Sequence, residues 1–88
     1  MFEWDEAKRA ANLAKHGVDF ARVEAFEFET AVVSVDDRFD YGEVRKVAFG
    51  LIGDRIYTLV FQHRGENIRV ISLRKSNPRE ARFYADHA

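Results

Sequence analysis

The sequence predicts an α+β fold in a single domain, residues 1–88: two N-terminal helices, an antiparallel β-meander of about four strands and a closing helix. Three observations lead there. Apolar residues recur at helical spacing before Phe26 and again after Pro78, whereas from Ala31 to Lys75 the period is two. Two Gly-led pairs, Gly53-Asp54 and Gly65-Glu66, separate the later period-two runs at hairpin distance. A chain of 88 residues that is 47% hydrophobic, with eight Phe and one Trp, is too apolar for disorder and too short for a second core.

Phe2–Trp4 is a candidate short extra strand at the N-terminus. Asp5 then reads as an N-cap before "EAKRAANLAKH", with Glu6 in the acid-favouring first turn, His16 in the last turn and Gly17 as the stop. Ala10, Leu13 and Ala14 give that helix a narrow apolar stripe. Asp19 caps a second short helix in which Phe20, Val23 and Phe26 share a side. "AVVSV" from Ala31 is the first strand of the meander, followed by the acidic loop "DDRFDYGE". "VRKVAFGLI", "RIYTLVFQHR" and "NIRVISLR" supply the other three strands. Gly at the first central position of each joint suits a type II′ turn, which needs φ > 0 there. Ser76-Asn77-Pro78 ends the sheet. Asn77 as N-cap, Pro78 at the first helical position and Glu80 at the capping-box position start a helix of about ten residues. Alone it is too short to be stable, so it packs through Ala81, Phe83 or Tyr84.

Two-residue turns fix a register. Ile52 pairs with Arg55 and Arg64 with Asn67, so Arg45, Gln62 and Arg69 form a polar row on one face. Val47, Phe49, Leu51, Ile56, Thr58, Val60, Ile71 and Leu73 share that face in this scheme. Tyr57, Leu59, Phe61, His63, Ile68, Val70, Ser72 and Arg74 occupy the other. Both faces are mainly apolar and call for cover.

Net charge is −1, but it is divided unevenly. Met1–Val44 carries five cations against eleven carboxylates, and Arg45–Ala88 nine against four. That asymmetry suits one surface that holds an anion and another that repels it. There is no Cys, which excludes disulfides and thiolate metal sites and fits a reducing compartment. No basic-then-apolar leader opens the chain, and no run reaches the roughly 18 apolar residues of a membrane span, so the expected location is cytoplasmic.

Guanidinium groups match phosphate oxygens in pairs, and strands hold them rigidly. Arg45, Arg69 and Arg74 are therefore the candidate phosphodiester clamp, with Lys75, Arg79 and Arg82 adding to the field. The competing structural reading is that these cations pair with Asp or Glu on the acidic N-terminal helices. RNA cleavage without a metal also needs proton transfer at the 2′-OH and at the leaving oxygen. Imidazole, with an unperturbed pKa of about 6.5, is the suitable group, and His63 at a strand end is the first candidate. Tyr84 and Lys75 follow. Lys15 and His16 join if the first helix packs beside the strand ends. His16, His63 and His87 are too dispersed for a metal motif, and neither metal nor other cofactor is expected. Tyr57, Phe61 and Phe49 are assigned to packing rather than base stacking.

Two segments, "FEWDEAKRAANLAKHGVDF" and "IRVISLRKSNPREARFY", resemble the BrnT family, the toxin half of a bacterial type II toxin–antitoxin pair. The likeness spans nearly the whole chain. It rests on Trp4-Asp5, Lys8, Asn12, Lys15-His16-Gly17 and Phe20, on Gly42-Glu43 before Arg45, and on Ile71-Ser72 followed by Arg74, Arg79, Glu80 and Tyr84. The resemblance implies a RelE-like ribonuclease fold and RNA cleavage by 2′-OH attack that arrests translation. It implies a BrnA-like antitoxin with a ribbon-helix-helix DNA-binding portion, in a 2:2 complex that represses its own operon. It marks Arg45, Arg74, Arg79 and Tyr84 as functional positions, whereas Arg69 and His63 come from the register. Two other functions compete: a non-catalytic corepressor that binds a DNA-binding antitoxin, and a non-catalytic RNA-binding module.

Overall fold

A five-stranded sheet in the order β1-β5-β4-β3-β2 organises the molecule, whose computed structural model describes residues 1–36 and 44–88. The strands are β1 (Phe2–Glu3), β2 (Val32–Asp36), β3 (Arg45–Ile52), β4 (Arg55–Arg64) and β5 (Asn67–Lys75). Helix α1 is Glu6–His16 and helix α2 is Pro78–His87. The expected acidic loop and the Gly42-Glu43 match fall, except for Asp36, outside the described residues.

Local signals set most boundaries. Asp5 accepts from the N–H groups of Ala7 and Lys8, and Gly17 ends α1 at φ 71°. Gly53 and Gly65 sit at φ 64° and 58°, and no other described residue type takes positive φ, so Asp54 and Glu66 keep the negative φ of a type II′ turn. Asn77 and Glu80 form a reciprocal capping box.

Three expectations need correction. The second helix is not α-helical: Phe20–Ala25 and Phe28–Thr30 are two 3₁₀ segments. Six residues are too few for a stable α-helical nucleus, and the tighter winding lets Phe20, Val23 and Phe26 all reach the core. The extra strand forms, but β1 runs parallel to β5, with Phe2 beside Ile68 and Glu3 beside Arg69, so the sheet is mixed. Finally, α1 does not bury its apolar stripe. Leu13 is 44% exposed, and the buried residue of the helix is Asn12.

Asn12 lies against the edge of β5 beyond the reach of two-residue β1. Its amide donates to the carbonyls of Leu73 (2.7 Å) and Val18 (2.9 Å), and its oxygen accepts from the Leu73 N–H (3.3 Å). One carboxamide thus does for Leu73 what a neighbouring strand would do. Arg9 adds a two-pronged bond to Asp19 (2.8 and 2.7 Å) that fixes α1 to the first 3₁₀ segment.

The core lies on one face of the sheet, where Ala48, Leu59, Phe61, Val70 and Leu73 meet Val18, Phe20, Val23 and Phe26. Gly50 is part of this contact: a β-carbon there would stand 2.6 Å from the buried Phe26 ring and 3.0 Å from the Ala31 methyl. The ring has no solvent to retreat into. Gly50→Ala is expected to cost about 1–3 kcal/mol, read as a lowered unfolding midpoint in thermal denaturation.

Counted from the hairpin, the β4–β5 register holds as far as Phe61 and departs at Val60. Arg64 pairs with Asn67, Gln62 with Arg69 and Phe61 with Val70, but Val60 pairs with Ser72. A bulge therefore leaves Ile71 as the extra residue. From there each side chain of β5 is on the face opposite to expectation. Leu73 turns into the core beside Leu59, and Ser72 and Arg74 turn to the second face beside Val60 and Thr58. Leu73 is a large aliphatic group and Arg74 a charge, so the bulge puts each where burial costs least.

Candidate functional site

The bulge brings Arg74 onto the second face with Arg45 and Arg69. Arg69 lies beside Gln62, and since Lys46 pairs with Phe61, Arg45 falls at the level of Gln62 on the other side. The predicted row therefore exists. Arg74 shares its face but lies beside Thr58, four residues along β4 and so on the order of 13 Å away. The expected single clamp becomes two stations, Arg45–Arg69 and Arg74.

Each station touches a carboxylate. Arg69 meets Glu3 at 3.4 Å, and Asp36 lies directly across from Arg45 in the β2–β3 ladder. Arg74 donates through both terminal nitrogens to Glu80, at 2.7 and 2.8 Å. Glu80 also accepts from the Asn77 N–H (2.9 Å) and from the Thr58 hydroxyl (3.2 Å), which lies 2.7 Å from Ser76 Oγ. The start of α2 thus fixes the direction of the Arg74 guanidinium. Glu80 was legible as a cap, but its role toward Arg74 was not, because a strand-to-helix separation of six residues has no periodic signature.

The Arg74 hydrogen bonds hold the Glu80 carboxyl below its ordinary value of 4.5, against burial, which acts the other way. A lowered folded-state pKa contributes stability that is complete above 4.5 and lost as pH falls through the folded value. Glu80→Gln is therefore expected to lower the unfolding midpoint at neutral pH, and the gap from the parent protein should narrow progressively as pH falls below 4.5. A constant gap would show that the charge is not what stabilises.

The end of α1 lies along β5 beside Ile71 and Ser72. Lys8, Ala11, Asn12, Lys15 and His16 line a groove with Ile71 and Ser72 of β5. Half-buried His16 is pushed below the usual imidazole value, first by burial and then by the charges of Lys15 and Arg74. Among the described residues no protein group hydrogen-bonds its ring nitrogens.

The remaining nominated residues divide. Tyr84 is half-buried one turn beyond Glu80, on the same side of α2. His63 is exposed at the end of β4 on the core face, its ring 5.6 Å from that of Phe61, and is not brought to the arginines. Lys75 lies across from Tyr57, also on the core-face side. Arg79 and Arg82 are exposed on α2. Phe83 anchors that helix by an edge contact with Phe49 (5.6 Å) and stacks on His87 (4.0 Å). Among the described residues no three His, Asp or Glu side chains gather as a metal site, and no helix is long and apolar enough to cross a membrane.

A small α+β protein whose sheet carries arginines on one face has a surface suited to a polyanion. Residues 4–80 match the family described as the ribonuclease toxin, BrnT, of type II toxin–antitoxin systems, and the chain belongs to that family. The comparison with curated proteins gave no match. Membership makes the protein a ribonuclease toxin with an RNA substrate and an antitoxin partner.

Proposed function

We propose that the protein is an endoribonuclease that arrests translation by metal-independent cleavage of RNA through attack of the 2′-OH, on a RelE-like fold. The observation that supports this most is the bulge at Ile71, which turns Arg74 to the face of Arg45 and Arg69, where Glu80 holds its guanidinium. In this reading Arg74 contacts the scissile phosphate and stabilises the charge of the crowded phosphorane. Arg45 and Arg69 hold a neighbouring phosphate further along the sheet, and Lys15, Lys75, Arg79 and Arg82 add to the surrounding field. Tyr84 is the nominated proton donor on this side of the molecule. A BrnA-like antitoxin with a ribbon-helix-helix portion covers the arginine face in a 2:2 complex and carries the toxin to DNA.

Induced expression of the chain alone in a bacterial host tests this, with growth and total RNA followed together. The expected result is arrest with RNA cleavage, and loss of both in a soluble Arg45→Ala/Arg69→Ala variant. The carboxylates on Arg69 and Arg74 favour one competing reading, a non-catalytic corepressor whose arginines serve packing and antitoxin binding. Normal growth with intact RNA and soluble protein would establish that alternative.

A further inference from the structure

A ribonuclease of this kind needs a base for the 2′-OH. The base must be unprotonated near neutral pH, carry an available nitrogen or oxygen and stand beside the group that holds the phosphate. Each described histidine can be judged on those terms. His87 is bonded through Nδ1 to the Phe83 carbonyl (2.8 Å) and stacked on its ring, at the far end of α2. His63 faces away from the arginines. His16 alone lies in a groove with Lys8, Lys15 and Ser72, within electrostatic reach of Arg74.

Its position follows from the two features that departed from the sequence pattern. Asn12 bonds the backbone of Leu73 and so clamps the last turn of α1 against β5, while the bulge at Ile71 swings Ser72 and Arg74 to that side. Lys8, Lys15 and His16 share the side of α1 that faces Ile71 and Ser72. The groups acting on the His16 ring are Lys15 from its own helix and Arg74 from β5, both cationic, together with burial. All three favour the neutral imidazole that a base requires.

We propose that His16 is the general base of RNA cleavage, accepting the 2′-OH proton in the groove between α1 and β5 while Arg74 and Lys15 hold the phosphodiester. This rests on the ribonuclease function proposed above. The proton of the 2′-OH passes to a His16 ring nitrogen and the 2′-oxygen bonds to phosphorus. The bond from phosphorus to the 5′-oxygen breaks, and that oxygen takes its proton from the Tyr84 phenol, the donor nominated above, which solvent then reprotonates. The products are a 2′,3′-cyclic phosphate and a 5′-hydroxyl, and the imidazolium returns its proton to solvent.

The test is the single-turnover cleavage rate of a synthetic RNA oligonucleotide by the purified full-length chain, between about pH 5 and pH 8. The parent rate is expected to rise with pH through a titration below 6.5 and then level off, because protonated His16 cannot act as a base. His16→Gln should be at least about 100-fold slower at neutral pH and should lack that rise, with an unchanged unfolding midpoint. Lys15→Gln removes one of the charges that lower the imidazole, so its rise should move up toward 6.5. That shift carries the test if His16→Gln fails to fold. The inference is overturned if folded His16→Gln keeps the parent rate and pH profile, or if the profile is lost in His63→Gln instead. In either case it falls alone, and the ribonuclease reading stands, provided that the parent cuts RNA and Arg74→Ala does not. If the parent protein cuts no RNA at all, the ribonuclease reading falls with it.

Discussion

Arg74→Ala is expected to yield a folded protein whose RNA cleavage is lower by about 100- to 1,000-fold, the cost of removing one aligned donor from a developing oxyanion. The effect is large because of how Arg74 is held. Both prongs of its guanidinium rest on Glu80, itself fixed by the Asn77 N–H and the Thr58 hydroxyl, so the donor needs little reorganisation when charge develops. Arg74→Lys separates charge from geometry: it keeps the positive charge and gives up the planar fork, so most of the loss should remain. Both variants lose part of the contact with Glu80 and should unfold at lower temperature. Circular dichroism and thermal unfolding show whether the fold survives. Full cleavage by folded Arg74→Ala would remove the residue from the site.

The largest effect on stability is expected at Asn12. Alanine there strips the partner from the Leu73 N–H and from the carbonyls of Leu73 and Val18, in a place that water does not reach. Each buried group left unsatisfied costs about 1–3 kcal/mol, so a total of about 3 kcal/mol is a fair expectation. In a domain this small that corresponds to a fall of roughly 10–20 °C in Tm. Asn12→Leu fills the space without restoring the bonds and should be as damaging. Asn12→Asp keeps an acceptor for the Leu73 N–H but turns a carboxylate toward two carbonyls, so it should not rescue. Urea or thermal unfolding of the three variants checks the assignment, and a stable Asn12→Leu protein would contradict it.

These two residues also show what the sequence could and could not convey. Helix α1, both hairpins and the capping box of α2 were legible because the residues that make them are adjacent in the chain: Asp5 with Gly17, Gly53, Gly65, and Asn77 with Glu80. The bulge was not, since its extra residue, Ile71, is an ordinary strand former and no glycine marks the spot. That one residue decided the site, because it moved Arg74 onto the face of Arg45 and Arg69. The parallel pairing of β1 was equally hidden, being a contact between Phe2–Glu3 and a strand more than sixty positions away. Asn12 did carry a signal. Asn is a poor helix former, and its place between Ala11 and Leu13 in a helix called for a reason beyond propensity.

The uneven charge of the chain was readable in outline and survives folding in part. Glu24, Glu27 and Glu29 gather around a groove on the 3₁₀ segments, which pack on the core face, while Arg45, Arg69 and Arg74 lie on the other. Pairing is not absent, however. Glu3 reaches Arg69 from the N-terminal strand and not from a helix, and the partner of Arg74 comes from α2 in the basic half. The clamp nominated as three arginines on one phosphate is divided along the sheet, and Lys15 and His16 stand nearer to Arg74 than a count along the chain suggests.

The central claim is cleavage of RNA by 2′-OH attack with Arg74 at the phosphate. Its most direct test is the chemistry of the cut ends. A defined RNA incubated with the purified chain in the presence of a metal chelator should give fragments ending in a 2′,3′-cyclic phosphate, with 5′-hydroxyl partners, seen by mass spectrometry. The same fragments should be nearly absent with Arg74→Ala. Uncut RNA, cleavage that the chelator abolishes, or equal cleavage by folded Arg74→Ala would contradict the account.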